Sequence, residues 1–323
     1  MGGGVFDSST YYSSATTRKA AGVDDFAYSK TSKTIHDSLK PTRIKDKAFK
    51  VLESRDSAEH PETTAIIVCF DVTGSNASRA VQAQKTLPGL MTLLEKYVAD
   101  PQIAVAANDD FEYEPDRCFQ MSEFESDNRI DEHIRNIKIV QNGGGNRAES
   151  YDLILFAALN KVATDCFEQR GKKGYLFMYA DEPFFTVCSA DAQEHVFGEK
   201  DAKDIPIQKL VADTKEKWEI FILFPAGSRY SDALQQYKDL FDDDHVIALQ
   251  HPEMISEVIG ATIGVCEGKT DSVSVIADLK SVGVDSTRAA SVSASLVKLS
   301  QTRAVVSVCG GELEVGGSGA HRL

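Results

Sequence analysis

Residues 65–75 read Ala65-Ile66-Ile67-Val68-Cys69-Phe70-Asp71-Val72-Thr73-Gly74-Ser75, and this stretch decides the fold. Its first six residues are continuously apolar. That is the pattern of a strand buried on both faces, not of one with a wet side. The run breaks abruptly into Asp71, Thr73 and Ser75, which alternate as the chain leaves the strand. A helical pattern follows over residues 77–98, with Leu87, Leu90, Leu94 and Val98 on one side and Pro88 expected to kink it. Strand, polar turn and helix together form the repeating unit of a parallel α/β sheet.

The same unit recurs downstream. Ile103–Ala107 reads as a second strand and Arg117–Glu123 as an edge strand. Residues 127–139 form a helical pattern through Ile130, Ile134 and Ile137, and residues 149–167 an apolar one. Tyr175–Tyr179 and Trp218–Phe224 read as buried strands and His245–Leu249 as a short one, with helices over 204–216, 230–241 and 252–265. The expected fold is α/β: a Rossmann-like, doubly wound, mostly parallel central sheet flanked by helices. Residues 1–60 have poor periodicity but spaced aromatics at Phe6, Tyr11, Tyr12, Phe26 and Tyr28. They read as an extended arm that packs on the main domain or on a neighbouring subunit. The α/β domain is expected over 61–266, a helical C-terminal extension over 267–309, and a flexible Gly-rich tail over 310–323.

Charge narrows the function. The 323 residues carry 49 acidic and 35 basic side chains, a formal net charge of -14. Such a surface repels phosphate backbones and attracts divalent cations, so no nucleic-acid partner is expected. The six cysteines form no CxxC pair and no His stands at finger spacing, which argues against a zinc site. Scattered thiols suit a reducing compartment. Met1-Gly2-Gly3-Gly4-Val5-Phe6 lacks the charged and apolar regions of a signal peptide, and Phe6 replaces the Ser or Thr of a myristoylation motif. No apolar run is long enough to span a bilayer. A cytoplasmic protein, or a virion component if phage-encoded, is expected.

Ligands of open α/β sheets bind at the carboxyl ends of the strands. The polar residues expected there are Asp71, Thr73 and Ser75, then Asn108, Asp109 and Asp110, then Asn146, Arg147, Glu149 and Ser150, then Asp181 and Glu182. Nearly all are oxygen donors, with no Cys or His among them, which suits Mg2+, Mn2+ or Ca2+. Alternate side chains at a strand-to-helix turn can face one locus: Asp71 supplies charge, and Thr73 and Ser75 supply neutral oxygens. Mg2+ takes about six oxygens at about 2.1 Å and readily keeps waters, so a position stays open for a partner's carboxylate.

Asp71-Val72-Thr73-Gly74-Ser75 resembles the DxSxS first motif of von Willebrand factor A domains, in its DxTGS form. Asp181, after the Tyr175–Tyr179 strand, resembles the third-motif Asp of that family. The run from Glu53 to about residue 266 is similar to bacterial and phage proteins with this domain, through Asn128-Arg129-Ile130-Asp131-Glu132, Gly143-Gly144-Gly145, Glu149-Ser150-Tyr151 and Lys173-Gly174-Tyr175-Leu176-Phe177. The resemblance implies a metal-ion-dependent adhesion site. This chain departs at the second motif: the family's Thr is absent from Gly143-Gly144-Gly145-Asn146-Arg147-Ala148-Glu149-Ser150. Asn146 and Glu149 are the candidates to replace it, with Glu149 favoured by related sequences. A Glu ligand would neutralise more of the ion's charge and weaken its pull on a partner. Asp109 and Asp110 are candidates for further ligands or outer-shell bonds.

Other chemistries fit less well. The glycine loop lacks the GK[ST] ending of a P-loop. Thr73 stands where a haloacid-dehalogenase phosphatase needs a second Asp. Ser75 lacks a GxSxG elbow, and the seven histidines pair with no obvious nucleophile. Arg55, Asp56, Glu59 and His60 precede the first strand and read as a surface ion network at the other end of the sheet, and Asp242-Asp243-Asp244 as a solvated turn. The expected function is a Mg2+-binding (or Mn2+- or Ca2+-binding) module that holds a protein partner or a neighbouring subunit, through an acidic side chain at the metal. The alternatives are a metal-assisted hydrolase and a regulatory partner of a MoxR-type AAA+ ATPase.

Overall fold

A computed structural model describes residues 4–40, 50–73, 76, 78–139, 148–226 and 231–311. Six strands build the central sheet: β1 (Thr64–Asp71), β2 (Pro101–Asn108), β3 (Phe119–Met121), β4 (Gly174–Tyr179), β5 (Trp218–Pro225) and β6 (Val246–Leu249). Their order is β6-β5-β4-β1-β2-β3. Every pairing is parallel except β2 with β3, where the edge strand runs antiparallel. The expected α/β class and doubly wound, mostly parallel sheet are what the chain adopts.

The helices that matter below are α1 (Ser8–Ala20), α2 (Arg79–Tyr97), α3 (Arg129–Arg135), α4 (Asp152–Asn160), α5 (Ile207–Lys215), α6 (Ser231–Phe241), α7 (Ile255–Cys266), α8 (Val275–Ser281), α9 (Ser286–Ser295) and α10 (Val297–Gly311). β1 shows why its sequence is apolar throughout. Ile66, Val68 and Phe70 pack into the layer of α2 and α7, and Ala65, Ile67 and Cys69 into that of α4, α5 and α6. Successive side chains of a strand point to opposite faces, so a strand with helices on both sides has no polar position to spare.

Segments outside 61–266 complete the first of these layers. Phe6, Tyr11, Phe26, Ile35 and Leu39 from the N-terminal side are buried in it, as are Val275, Leu279, Val292 and Leu299 from the C-terminal side. Where the sequence suggests an extended arm, residues 8–20 are helical, with the Asp7 carboxylate accepting from the Thr10 amide at the helix start. Tyr11 donates to the Gln84 carbonyl on α2 at 2.7 Å. His60, read from the sequence as part of a surface ion network, is instead buried between Asp100 (3.3 Å) and Ser126 (3.1 Å). Ser126 donates to the Gly4 carbonyl at 2.6 Å, so this buried chain fastens the N-terminal segment and offers no free nucleophile.

Two helices are shorter than their apolar patterns. Residues 149–167 break at Asn160, and Val162–Thr164 instead pairs in parallel with Leu52–Ser54. The β-branched Val162 and Thr164 favour that geometry. In the 127–139 segment the helix ends at Arg135, and the Gln120 side chain brackets the Lys138 backbone with two bonds of 2.8 Å. Arg55 and Asp56 do form an ion network, with Glu53, Asp165, Glu168 and Arg170. The glycine loop at 143–145 and the tail at 312–323 lie outside the described residues.

Glu219 on β5 ties the C-terminal helix to the sheet. It accepts from Arg303 of α10 at 2.7 Å and from His245 at 3.2 Å. The His245 bond, followed by the nearby Arg303 charge, outweighs burial and holds the Glu219 carboxyl down at about 2. Burial opposes charge on His245, but the Glu219 and Asp244 carboxylates more than offset it and raise its pKa. The Glu219 contribution is therefore present above its ordinary value of about 4.5 and lost as pH falls toward 2. That of His245 is present below about 6.5 and lost as pH rises through its raised value. Glu219→Gln is expected to cost about 1–3 kcal/mol at pH 6. Thermal unfolding followed from pH 2 to 8 should show a shallower acid limb in the variant than in the parent.

Candidate metal centre

In this strand order the chain winds outward from β1 in one direction and from β4 in the other. The crevice between the carboxyl ends of β1 and β4 is the topological switch point, where open α/β sheets bind ligands. Asp71 ends β1, and Asp181 lies two residues beyond β4. Both are buried. Asn76 joins them: its amide nitrogen donates to Asp71 Oδ2 at 3.0 Å and to Asp181 Oδ1 at 2.8 Å.

Asp71 is held by donors alone. Its Oδ1 accepts from the Thr73 amide at 2.8 Å and the Thr73 hydroxyl at 2.6 Å, and its Oδ2 accepts from the Tyr151 hydroxyl at 2.6 Å. The first two bonds shape the turn out of β1. They also spend the Thr73 proton on Asp71, which leaves the Thr73 oxygen lone pairs available.

Glu149 reaches the same end of the sheet from the loop before α4. Its amide donates to the Pro183 carbonyl at 3.1 Å, which pins it beside the exit of β4. Asn108, at the end of β2, donates to the Ser150 carbonyl at 2.8 Å, and Ser150 Oγ accepts from the Phe111 amide at 2.9 Å. The segment is thus clamped between the exits of β2 and β4, with the Glu149 side chain buried. Asp109 is buried in the loop after β2, where its Oδ1 accepts from the Asp110 amide at 2.8 Å.

The electrostatics of this end are one-sided. Asp71, Asp109, Asp110, Glu149, Asp152 and Asp181 are all at most 9% exposed. Among the described residues, no Lys or Arg forms an ion pair with Asp71, Asp109, Glu149 or Asp152. Glu149 Oε2, Asp109 Oδ2 and Asp152 Oδ1 have no hydrogen-bond partner there either. Burial pushes the Asp109 carboxyl up to about 7. Burial first, then the neighbouring Asp181 charge, raises Asp71; burial first, then Asp71 and Asp109, raises Glu149 far above the usual carboxylate range. Buried acceptors without donors are costly, and a cation among them would remove the cost. The donor set is all oxygen, the chemistry of a hard divalent ion. No group of three His, Cys, Asp or Glu side chains among the described residues is placed to hold an ion by itself. An ion here would therefore need hydroxyls and water as well as carboxylates.

Of the residues singled out in the sequence, Asp71, Thr73 and Asp181 are brought together, and Glu149 and Asp109 lie at the same end of the sheet. Ser75 and Asn146 fall outside the described residues. Sequence reasoning missed the roles of Asn76 and Tyr151, whose side chains bond Asp71 directly. It also missed Asp152, whose carboxyl is pushed up to about 7 by burial. The available signal for Asp152 was an acidic residue at the head of an otherwise apolar helix. Tyr151→Phe should weaken any divalent-ion binding at Asp71 about 10-fold, the usual effect of losing a bond that orients a ligand. Calorimetric titration with Mn2+ measures it, and an unchanged Kd would remove Tyr151 from the site.

No family model matches the chain, and no curated protein matches its sequence. Solved structures do overlap it. The pilus adhesin SpaC from Lactobacillus rhamnosus GG, in its open conformation, is 9% identical over 68% of this chain and 31% of the adhesin, with a TM-score of 0.43. Proximal thread matrix protein 1 from the mussel byssus, with a zinc-occupied MIDAS motif, is 13% identical over 64% of this chain and 46% of its own, with a TM-score of 0.42. A von Willebrand factor type A protein from Catenulispora acidiphila is 11% identical over 65% and 44%, with a TM-score of 0.40. The overlap spans about a third to a half of the length of these structures. Among the described residues, no helix is long and apolar enough to cross a membrane.

Proposed function

We propose that this protein is a binding module of the von Willebrand factor A type, which holds a divalent cation at the switch point and uses it to fasten a protein partner or a neighbouring subunit. The observation that carries the reading is the trio of buried carboxylates Asp71, Asp109 and Glu149, gathered at one end of the sheet with no Lys or Arg paired to them among the described residues. Asp71 and Thr73 would face the ion from the β1 turn, joined by Ser75, and Asp181 from the β4 exit. Glu149 would supply the charge that the second-motif Thr of the family does not, with Asn146 and Asp109 as further oxygen donors. When bound, Mg2+, or Mn2+ or Ca2+ in its place, supplies two positive charges and an open coordination position. Tyr151 and Asn76 would orient the Asp71 carboxylate toward it. A bacterial or phage assembly is the setting that the DxTGS motif favours.

The test is calorimetry on EDTA-stripped protein. Mn2+ and Mg2+ should each titrate one site, and a protein partner recovered with the metal-loaded form should be released by EDTA. Absence of any saturable ion binding would remove the metal from the reading. Ion binding with a partner indifferent to EDTA would leave the ion a structural role.

A further inference from the structure

A cavity of about 710 Å³ lies between α2, the N-terminal segment and the loop that joins β2 to β3. Ser78, Val81 and Lys85 line it from α2, at the spacing of one helical face. Phe26 and Ser29 line it from the N-terminal side, Arg117 from the β2–β3 loop, and Lys138 and Ile139 from the segment after α3. No carboxylate of the candidate metal centre is among its walls.

The charges of this cavity do not balance. Three acids line it, and each already has a basic partner: Asp24 pairs with Lys30, Asp25 with Arg18 at 2.6 Å, and Glu114 with Arg117. Lys85 and Lys138 line it too, and neither has a carboxylate partner among the described residues. Lys138 is held in place. Its Nζ donates to the Ser29 carbonyl at 2.5 Å, and the Ser29 hydroxyl accepts from the Ile139 amide at 2.9 Å. The ammonium is thus fixed at the wall by a neutral oxygen, which takes one of its three donors. Burial, then the nearby Arg117 charge, pushes the Lys138 pKa down. A cation set against another cation without its own counter-charge is destabilised, and an anion between them would relieve both.

Two unanswered positive charges match a phosphate monoester, which carries about two negative charges at neutral pH. The volume lies in the range of sites for small organic ligands, and Phe26, Val81 and Ile139 give the cavity an apolar side. We infer that this cavity binds a small organic phosphate monoester, with the phosphate among Lys85, Arg117 and Lys138 and the organic body against Phe26, Val81 and Ile139. The net charge of -14 opposes a long polyanion. Distant charges are screened over about 8 Å in physiological salt, so a compact dianion answers to the cations beside it. The site needs no metal.

The experiment titrates the full chain, in EDTA, with phenyl phosphate, phenyl sulfate and inorganic phosphate by calorimetry. Phenyl phosphate should fill one site. Phenyl sulfate, similar in shape with one charge fewer, should bind about tenfold more weakly. Inorganic phosphate, which lacks the apolar body, should also lose about tenfold. Lys85→Gln removes an exposed charge and should leave the melting temperature unchanged. Lys138→Gln keeps an amide donor for the Ser29 carbonyl. Each variant should weaken phenyl phosphate binding about tenfold. No saturable binding of phenyl phosphate would overturn the inference, and so would equal affinity in the parent and both variants. Phenyl sulfate bound as tightly as phenyl phosphate would overturn the charge match. Inorganic phosphate bound as tightly would make this a site for the free anion and overturn the ester.

Discussion

Asp71→Ala is expected to abolish the response of the protein to divalent cations, while leaving a folded chain. A ligand that binds only the native state at about a hundred times its Kd stabilises by about 2.7 kcal/mol. For a chain of this size that raises the melting temperature by roughly 4 °C. The parent should show this gain when Mg2+ or Mn2+ replaces EDTA, and Asp71→Ala should show none. The difference between the two conditions is the readout, because the substitution has a separate cost. It strips the Tyr151 hydroxyl, the Thr73 hydroxyl and one Asn76 bond of their acceptor. Lost partners of buried donors cost about 1–3 kcal/mol each whether or not an ion is present. Glu149→Gln separates the two effects. Glu149 Oε2 has no donor to lose, and an amide ends the repulsion among buried carboxylates. In EDTA that variant should melt no lower than the parent, and in Mn2+ it should gain less. An equal gain in the parent and both variants would place any bound ion elsewhere.

Gly174→Val is expected to destabilise the fold by about 3–5 kcal/mol, the range of losing a buried aromatic. Gly174 opens β4 and pairs across the sheet with Trp218 of β5. The indole of Trp218 lies over it: a Cβ on Gly174 would stand 2.5 Å from Trp218 Cζ3 and 3.0 Å from the Ala65 carbonyl oxygen. That ring is buried and donates to the Ala158 carbonyl of α4 at 3.1 Å. A side chain at 174 must therefore push against backbone on one side, or evict the indole and break its bond on the other. Urea denaturation should show a lower midpoint with an unchanged slope. A variant as stable as the parent would mean that Trp218 has another place to go.

The parts of this fold that were legible in the sequence are those fixed by local periodicity. AIIVCF could only be a strand buried on both faces, and β1 divides its side chains evenly between the two helical layers. Where pattern misled, a tertiary partner had taken over. Val162–Thr164 left its apolar helix because Leu52–Ser54 offered a parallel strand. The N-terminal aromatics had no period to betray the helix at Ser8–Ala20, yet Tyr11 within it and Phe6 and Phe26 on either side finish a core layer begun by α2 and α7.

The candidate site divides the same way. By itself, the sequence determined that Asp71 and Thr73 leave one strand together, because two residues apart along a strand exit is a local relation. It also determined that Asp181 closes another strand. Only the tertiary structure decided that β1 and β4 are neighbours, so that Asn76 can reach both carboxylates. Only it brought Tyr151 onto Asp71 across 80 positions and left Glu149 buried with an oxygen unanswered. Strand order is set by how whole layers bury their apolar faces, and no window of local sequence contains that sum.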